Sequence, residues 1–231
     1  MPPPSALTIP AVTKHTATVI MAMVLVIVVL DGFRSQRTGV VAKSSKRSNS
    51  YFQMRQPSPS QLTLACPCQT TFSDLQAEQD ETGIRRSQVY FHSLIKSEIE
   101  DSKIPSNRIV LGGFSQGGAM SIFSGITCPT QLGGIFGMSC YLLLRNKLQE
   151  FLGADGGSNK QTKIWMGHGD SDPLVKPEWG IKTAEVLRGE GYDVQLKMYP
   201  GLQHSADVSE IDDLEQYLIG RIPSIADKES L

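Results

Sequence analysis

From about Thr70 onward, apolar positions recur with two alternating periods. Ile84, Phe91, Leu94, Ile95 and Ile99 fall at spacings of three, four and seven, which puts them on one face of a helix. Arg108 to Gly112 is a short apolar run that predicts a buried strand, and the small and apolar residues from Gly117 to Thr127 predict a buried helix. Gly134 to Ser139 and Lys163 to His168 are further strand-like runs, and Tyr192 to Tyr199 alternates as a strand does. Trp179 to Arg188 reads as a helix closed by Gly189 and Gly191. Ser209 can cap a last helix whose inner face carries Ile211, Leu214, Tyr217 and Leu218. Strands alternating with helices predict one α/β domain over residues 1–231, with a mostly parallel sheet and helices on both faces.

The N-terminal third follows a different pattern. Thr16 to Leu30 is almost wholly apolar but shorter than the about 20 residues a spanning helix requires, and it lacks the flanks of a secretion signal. Its first half, Thr16 to Ala22, is rich in β-branched residues and suits a buried strand. Phe33 to Gln69, crowded with Ser, Arg, Gln, Thr and Lys, shows neither period and reads as a linker or disordered segment.

Composition removes several classes of function. With 231 residues, 40% hydrophobic, 19% charged and a net charge of -1, the chain offers neither a nucleic-acid surface nor a polybasic membrane patch. Of its four cysteines, Cys66 and Cys68 are too close for the usual zinc knuckle and no Cys/His pair follows them. Free thiols in a reducing compartment are expected, and no metal or cofactor.

The candidate chemistry centres on Gly113-Phe-Ser-Gln-Gly117. Between a buried strand and a buried helix this pattern is a nucleophile elbow, a sharp turn that lifts a serine hydroxyl above a sheet edge. Serine is a poor nucleophile unless a histidine takes its proton and a carboxylate orients that histidine. After Ser115 the only histidines are His168, at a strand end, and His204, in a loop before the last helix, where a base can swing over the serine. His204 is therefore the expected base, and His168 a strand-end residue satisfied by backbone. Asp170 and Asp172, both just after the strand ending at His168, compete for the acid, and spacing does not separate them.

Three stretches, Gly112-Gly-Phe-Ser-Gln-Gly-Gly-Ala119, His168-Gly-Asp-Ser-Asp-Pro-Leu-Val175 and Tyr199-Pro-Gly-Leu-Gln-His-Ser205, resemble the acyl-protein thioesterase (lysophospholipase and carboxylesterase) family. Asp80-Glu-Thr-Gly-Ile84, Ile104 to Ile109 and Ser139-Cys-Tyr-Leu142 also match, so the resemblance covers about Leu7 to Ala22 and Thr70 to Ile222. It implies the α/β-hydrolase fold, with Ser115 as nucleophile, Asp172 as orienting acid, His204 as base and the Gln116 N–H as one oxyanion donor. Cys140, Tyr141 and Leu142 would help line an acyl channel, or pack as core. The implied reaction removes palmitate-like groups from S-acylated cysteines of proteins. The alternatives are hydrolysis of small esters or lysophospholipids, a non-catalytic remnant, and a membrane-anchored hydrolase that uses residues 16–30 as its anchor. Membrane contact would be at most peripheral, the compartment the cytoplasm with the nucleus as a second site, and a weak homodimer is allowed.

One stretch departs from that pattern. In the family the first strand leads into His-Gly-Leu-Gly-Asp, whose leucine N–H is the second oxyanion donor. Here Ala22 is followed by Met23-Val-Leu-Val-Ile-Val-Val-Leu-Asp-Gly32. Suitable codons for His-Gly-Leu-Gly-Asp-Ser-Gly-Ala-Gly-Trp, read one nucleotide later, spell that same run. Residues 23–69 are thus expected to be an out-of-frame translation, an aberrant and poorly ordered insert, with the N-terminal strands partly missing or disordered. Losing one oxyanion donor costs about 2.7–4 kcal/mol in the transition state.

Overall fold

The computed structural model describes residues 7–9, 17–22, 26–30, 79–152 and 157–223. Among them are seven strands: β1 (Leu7–Ile9), β2 (Ala17–Ala22), β3 (Val26–Leu30), β4 (Ile109–Phe114), β5 (Gly134–Met138), β6 (Ile164–Gly169) and β7 (Val194–Tyr199). They form one sheet in the order β1-β3-β2-β4-β5-β6-β7. From β2 through β4 to β7 all neighbours are parallel, whereas β3 runs antiparallel to β2 and parallel to β1. The helices are α1 (Glu81–Glu100), α2 (Ser115–Ile126), α3 (Leu148–Phe151), α4 (Pro177–Gly189) and α5 (Val208–Arg221).

Alternation along the strands divides the core in two. Ile20, Ile109, Leu111, Ile135, Ile164 and Met166 face the layer that contains α1, α2 and α4. Val19, Val110, Phe136 and Trp165 face α5 through Leu214 and Leu218. Helices therefore cover both faces, as the alternating pattern requires. The predicted inner face of α1 buries Ile84, Phe91 and Ile95, and Leu94 and Ile99 pack against the same cluster. Each of the buried three contributes about 1.5–3 kcal/mol to that docking. Asp80 starts α1 by accepting a hydrogen bond from Gly83 N at 2.9 Å.

One expectation needs amendment. The cap of α5 is Asp207, whose Oδ1 accepts from Glu210 N at 2.8 Å, and not Ser209. The helix begins at Val208, so Ser209 lies inside its first turn. Of the stretch read as aberrant, residues 23–69, only Val26–Leu30 is described, and it is a strand of the sheet. Its run of β-branched residues favours that backbone whatever its origin. The rest of that stretch, with Cys66 and Cys68, lies outside the described residues.

The sheet is tight beside the elbow. Gly112 on β4 pairs directly with Phe136 on β5. A Cβ on Gly112 would sit 2.1 Å from Phe136 Cδ1, and that ring is only 1% exposed. Gly112→Ala is expected to lower stability by at least about 1–3 kcal/mol, read from equilibrium denaturation; an unchanged midpoint would show that the ring can yield.

Candidate active site

β4 runs into α2 without an intervening residue, and Ser115, the first residue of the helix, holds φ at +55°. A non-glycine residue there is strained by about 1–3 kcal/mol, and strain of this kind clusters where a side chain must be presented in one direction. Close approach keeps the turn sharp: a Cβ on Gly118 would lie 2.8 Å from the Gly113 carbonyl oxygen. Gln116 follows at the second position of α2, so the positive end of the helix dipole lies at the serine.

The other two groups come from the loops after β6 and β7, at the same edge of the sheet. His204 Nε2 lies 3.0 Å from Ser115 Oγ, and its Nδ1 lies 2.8 Å from Asp172 Oδ2. A carboxylate oxygen can only accept, so Nδ1 carries the proton and donates to Asp172. Nε2 is then left with the lone pair that Ser115 O–H can meet. Asp172 is 4% exposed, and its other oxygen accepts from Leu174 N and Val175 N, each at 2.9 Å. Those two amides fix the carboxylate plane and aim Oδ2 at the ring. Phe114, the residue before the serine, packs on the His204 ring at 4.8 Å between centroids. Its place inside the elbow pattern was visible in the sequence, but nothing there assigned it to the histidine.

The competitors have other partners. Asp170 Oδ1 accepts from Gly201 N at 2.7 Å and from Ser171 Oγ at 2.9 Å, so it ties the β6 loop to the β7 loop. His168 is fully buried and donates from Nε2 to the Val175 carbonyl at 2.8 Å. Its Nδ1 faces the α-carbon of Gly180 in α4, where a Cβ would come within 2.4 Å. Burial holds the His168 ring below the ordinary imidazole value, and burial does the same for His92, whose Nε2 meets the Ser124 carbonyl. Both are neutral when folded, while the unfolded chain takes up protons first. The stability they support is complete above about pH 6.5 and is lost as pH falls through their lowered values. A melting series from about pH 7 to about pH 5 should show the midpoint falling, and a flat profile would contradict it.

Cys140, Tyr141 and Leu142 are buried in the core beside α2 and α4. Cys140 Cβ lies against Gly118, Tyr141 meets Trp179 edge to face, and Leu142 N donates to Thr183 Oγ1 at 2.8 Å. Among the described residues no helix is long and apolar enough to cross a membrane, and no cluster of metal-ligating side chains occurs.

A mostly parallel sheet covered on both faces, with serine, histidine and aspartate hydrogen-bonded in series at its C-terminal edge, defines an α/β hydrolase. The sequence profile of the phospholipase/carboxylesterase family matches residues 69–220, and the chain belongs to that family. An acyl-protein thioesterase 1 of Neurospora crassa is 49% identical over 67% of this chain and 62% of its own length. Thus the chain is matched over about three fifths of that relative. An acyl-protein thioesterase 1 of Aspergillus fumigatus is 39% identical over 96% of this chain and 95% of its own length. Among solved structures, Arabidopsis thaliana SOBER1 superposes with a TM-score of 0.57 at 28% identity, covering 62% of this chain and 66% of that one.

Proposed function

We propose that this chain is a serine hydrolase that removes fatty acyl groups from S-acylated cysteines of proteins through an acyl-enzyme on Ser115. The observation that carries the reading is the series of two short contacts, Ser115 Oγ to His204 and His204 to Asp172, at 3.0 and 2.8 Å. In the first step Ser115 Oγ attacks the thioester carbonyl while Nε2 of His204 takes the hydroxyl proton. Asp172 stabilises the imidazolium and keeps its orientation. The N–H of Gln116, at the head of α2, is assigned to the developing oxyanion by its place directly after the nucleophile. The cysteine thiol leaves with the proton held by His204, and water then cleaves the serine ester by the same route in reverse.

The names of the relatives support a thioester substrate, and free Cys128 and Cys140 agree with a reducing, cytoplasmic setting. The family's description as phospholipase and carboxylesterase favours a second reading, hydrolysis of small esters or lysophospholipids. Comparing turnover of an S-palmitoyl-cysteine peptide with that of a lysophospholipid decides between them. Faster turnover of the peptide supports depalmitoylation; turnover of the lipid alone supports the second reading. A fluorophosphonate probe tests the serine itself, and failure to label the soluble protein would overturn both.

A further inference from the structure

Glu210 lies in the first turn of α5, six positions after His204, and is completely buried. Neither oxygen of its carboxyl group has a hydrogen-bond partner among the described residues. The side chain reaches under the helix to β6: Oε1 would stand 2.3 Å from a Cβ on Gly167, so it rests on that glycine's α-carbon. The carbonyl of Gly167 in turn accepts from Ser139 N at 2.9 Å. Ser139 is itself buried, with φ at +46° and a hydroxyl that lacks a partner among the described residues. An ionised carboxylate in such a place is far less favourable than a neutral acid.

The groups around it do not favour its charge. Asp207 and Asp213, on its own helix, act on it after burial itself, and together the three push its carboxyl up to about 8. Tyr199 on β7 and Cys140 in the segment after β5 feel its charge, which raises both further. On β6 the next residue, His168, turns its ring away to Gly180 in α4. The backbone of Glu210 is also the anchor of the loop above. Its N–H is the donor to Asp207 Oδ1, at 2.8 Å, three residues beyond His204.

We propose that Glu210 is a positioning residue for His204: as a neutral acid it seats the first turn of α5 on Gly167, and loss of its proton to solvent unseats that turn and slackens the loop that carries the base. The catalytic consequence rests on the reading of His204 as the base of Ser115, whereas the unseating does not. At neutral pH the group stays protonated and the loop stays docked. On the alkaline side the carboxylate draws water, and the loop from Pro200 to Asp207 loses its footing before any change in the Ser115–His204 pair.

Amide hydrogen exchange over residues 200–211, corrected for intrinsic rates from about pH 6 to about pH 9, reads the unseating directly. Protection is expected to fall through about pH 8 in the wild type and to stay level in Glu210→Gln, which mimics the neutral acid. An equal fall in both proteins, or none in the wild type, would overturn the proposal. Should Glu210→Gln fail to fold, the infrared carboxylic-acid band of the wild type decides. A buried neutral carboxyl that disappears in step with the loss of protection supports the proposal, and its absence at about pH 7 refutes it. Fluorophosphonate labelling provides the catalytic readout. The rate should fall about 10-fold or more over the same range in the wild type but not in Glu210→Gln. A wild type that never labels yet shows the pH-dependent protection would sink the serine reading and leave Glu210's role standing.

Discussion

Replacing Ser115 by alanine is expected to abolish fluorophosphonate labelling and to lower hydrolysis of an acylated-cysteine peptide by about 10⁶-fold. In the proposed mechanism Ser115 Oγ forms the bond to the acyl carbon, and among the described residues no other hydroxyl is held 3.0 Å from Nε2 of His204. Stability should not fall, because alanine keeps the helix start and removes only an oxygen from a half-buried position. Paired measurements of turnover and melting temperature check this. Residual turnover near the wild-type rate in a folded Ser115→Ala protein would mean that the chemistry lies elsewhere.

The second large effect separates two neighbouring carboxylates. Asp172→Asn is expected to lower turnover by about 10⁴-fold. Its side chain would keep the oxygen that accepts from Leu174 N and Val175 N, at 2.9 Å each, and present an amide to the imidazole in place of Oδ2. An amide there donates, so the ring is forced to carry its proton on Nε2, and the lone pair that Ser115 needs is lost. Asp170→Asn, two positions away, should change turnover by less than about tenfold, since the remaining oxygen still accepts from Gly201 N. Steady-state kinetics on the two variants settle the assignment: equal losses would move the acid's role away from Asp172.

That contrast marks where the sequence stopped being informative. Ser115 and His204 could be picked from pattern alone, since the elbow carries its own strand and helix and only two histidines follow it. Asp170 and Asp172 could not be separated by spacing, because both follow β6 and differ only in the direction in which a short turn points them. Resemblance to a family chose Asp172, and Asp172 is the one of the two that is hydrogen-bonded to His204. The sheet was legible through apolar runs such as Gly134 to Ser139 and the alternation of Tyr192 to Tyr199, and α1 through Ile84, Phe91 and Ile95. The cap of α5 was misread by two positions, as Ser209 and Asp207 are both good cap residues and only the helix start tells them apart.

Glu210 was invisible to that reading for a physical reason. A glutamate three residues into a helix looks like a solvated charge that favours the helix's N-terminal end, and its burial follows from the packing of α5 on Gly167, a long-range event. Phe114 was equally silent, because its contact with His204 joins the end of β4 to a loop 90 residues away. The family match begins at residue 69, where the hydrophobic period also resumes, so the two signals agree on where legible sequence starts.

Ser115, Asp172 and His204 each hang from the end of a different parallel strand, with the serine and histidine 89 positions apart. No one of these loops has to change length for another to do so. The segment between β5 and β6 contributes none of the three, so its exposed positions, such as Asn146, can change while those groups keep their spacing. A lineage carrying this architecture can diversify in what it accepts without reinventing how it cuts.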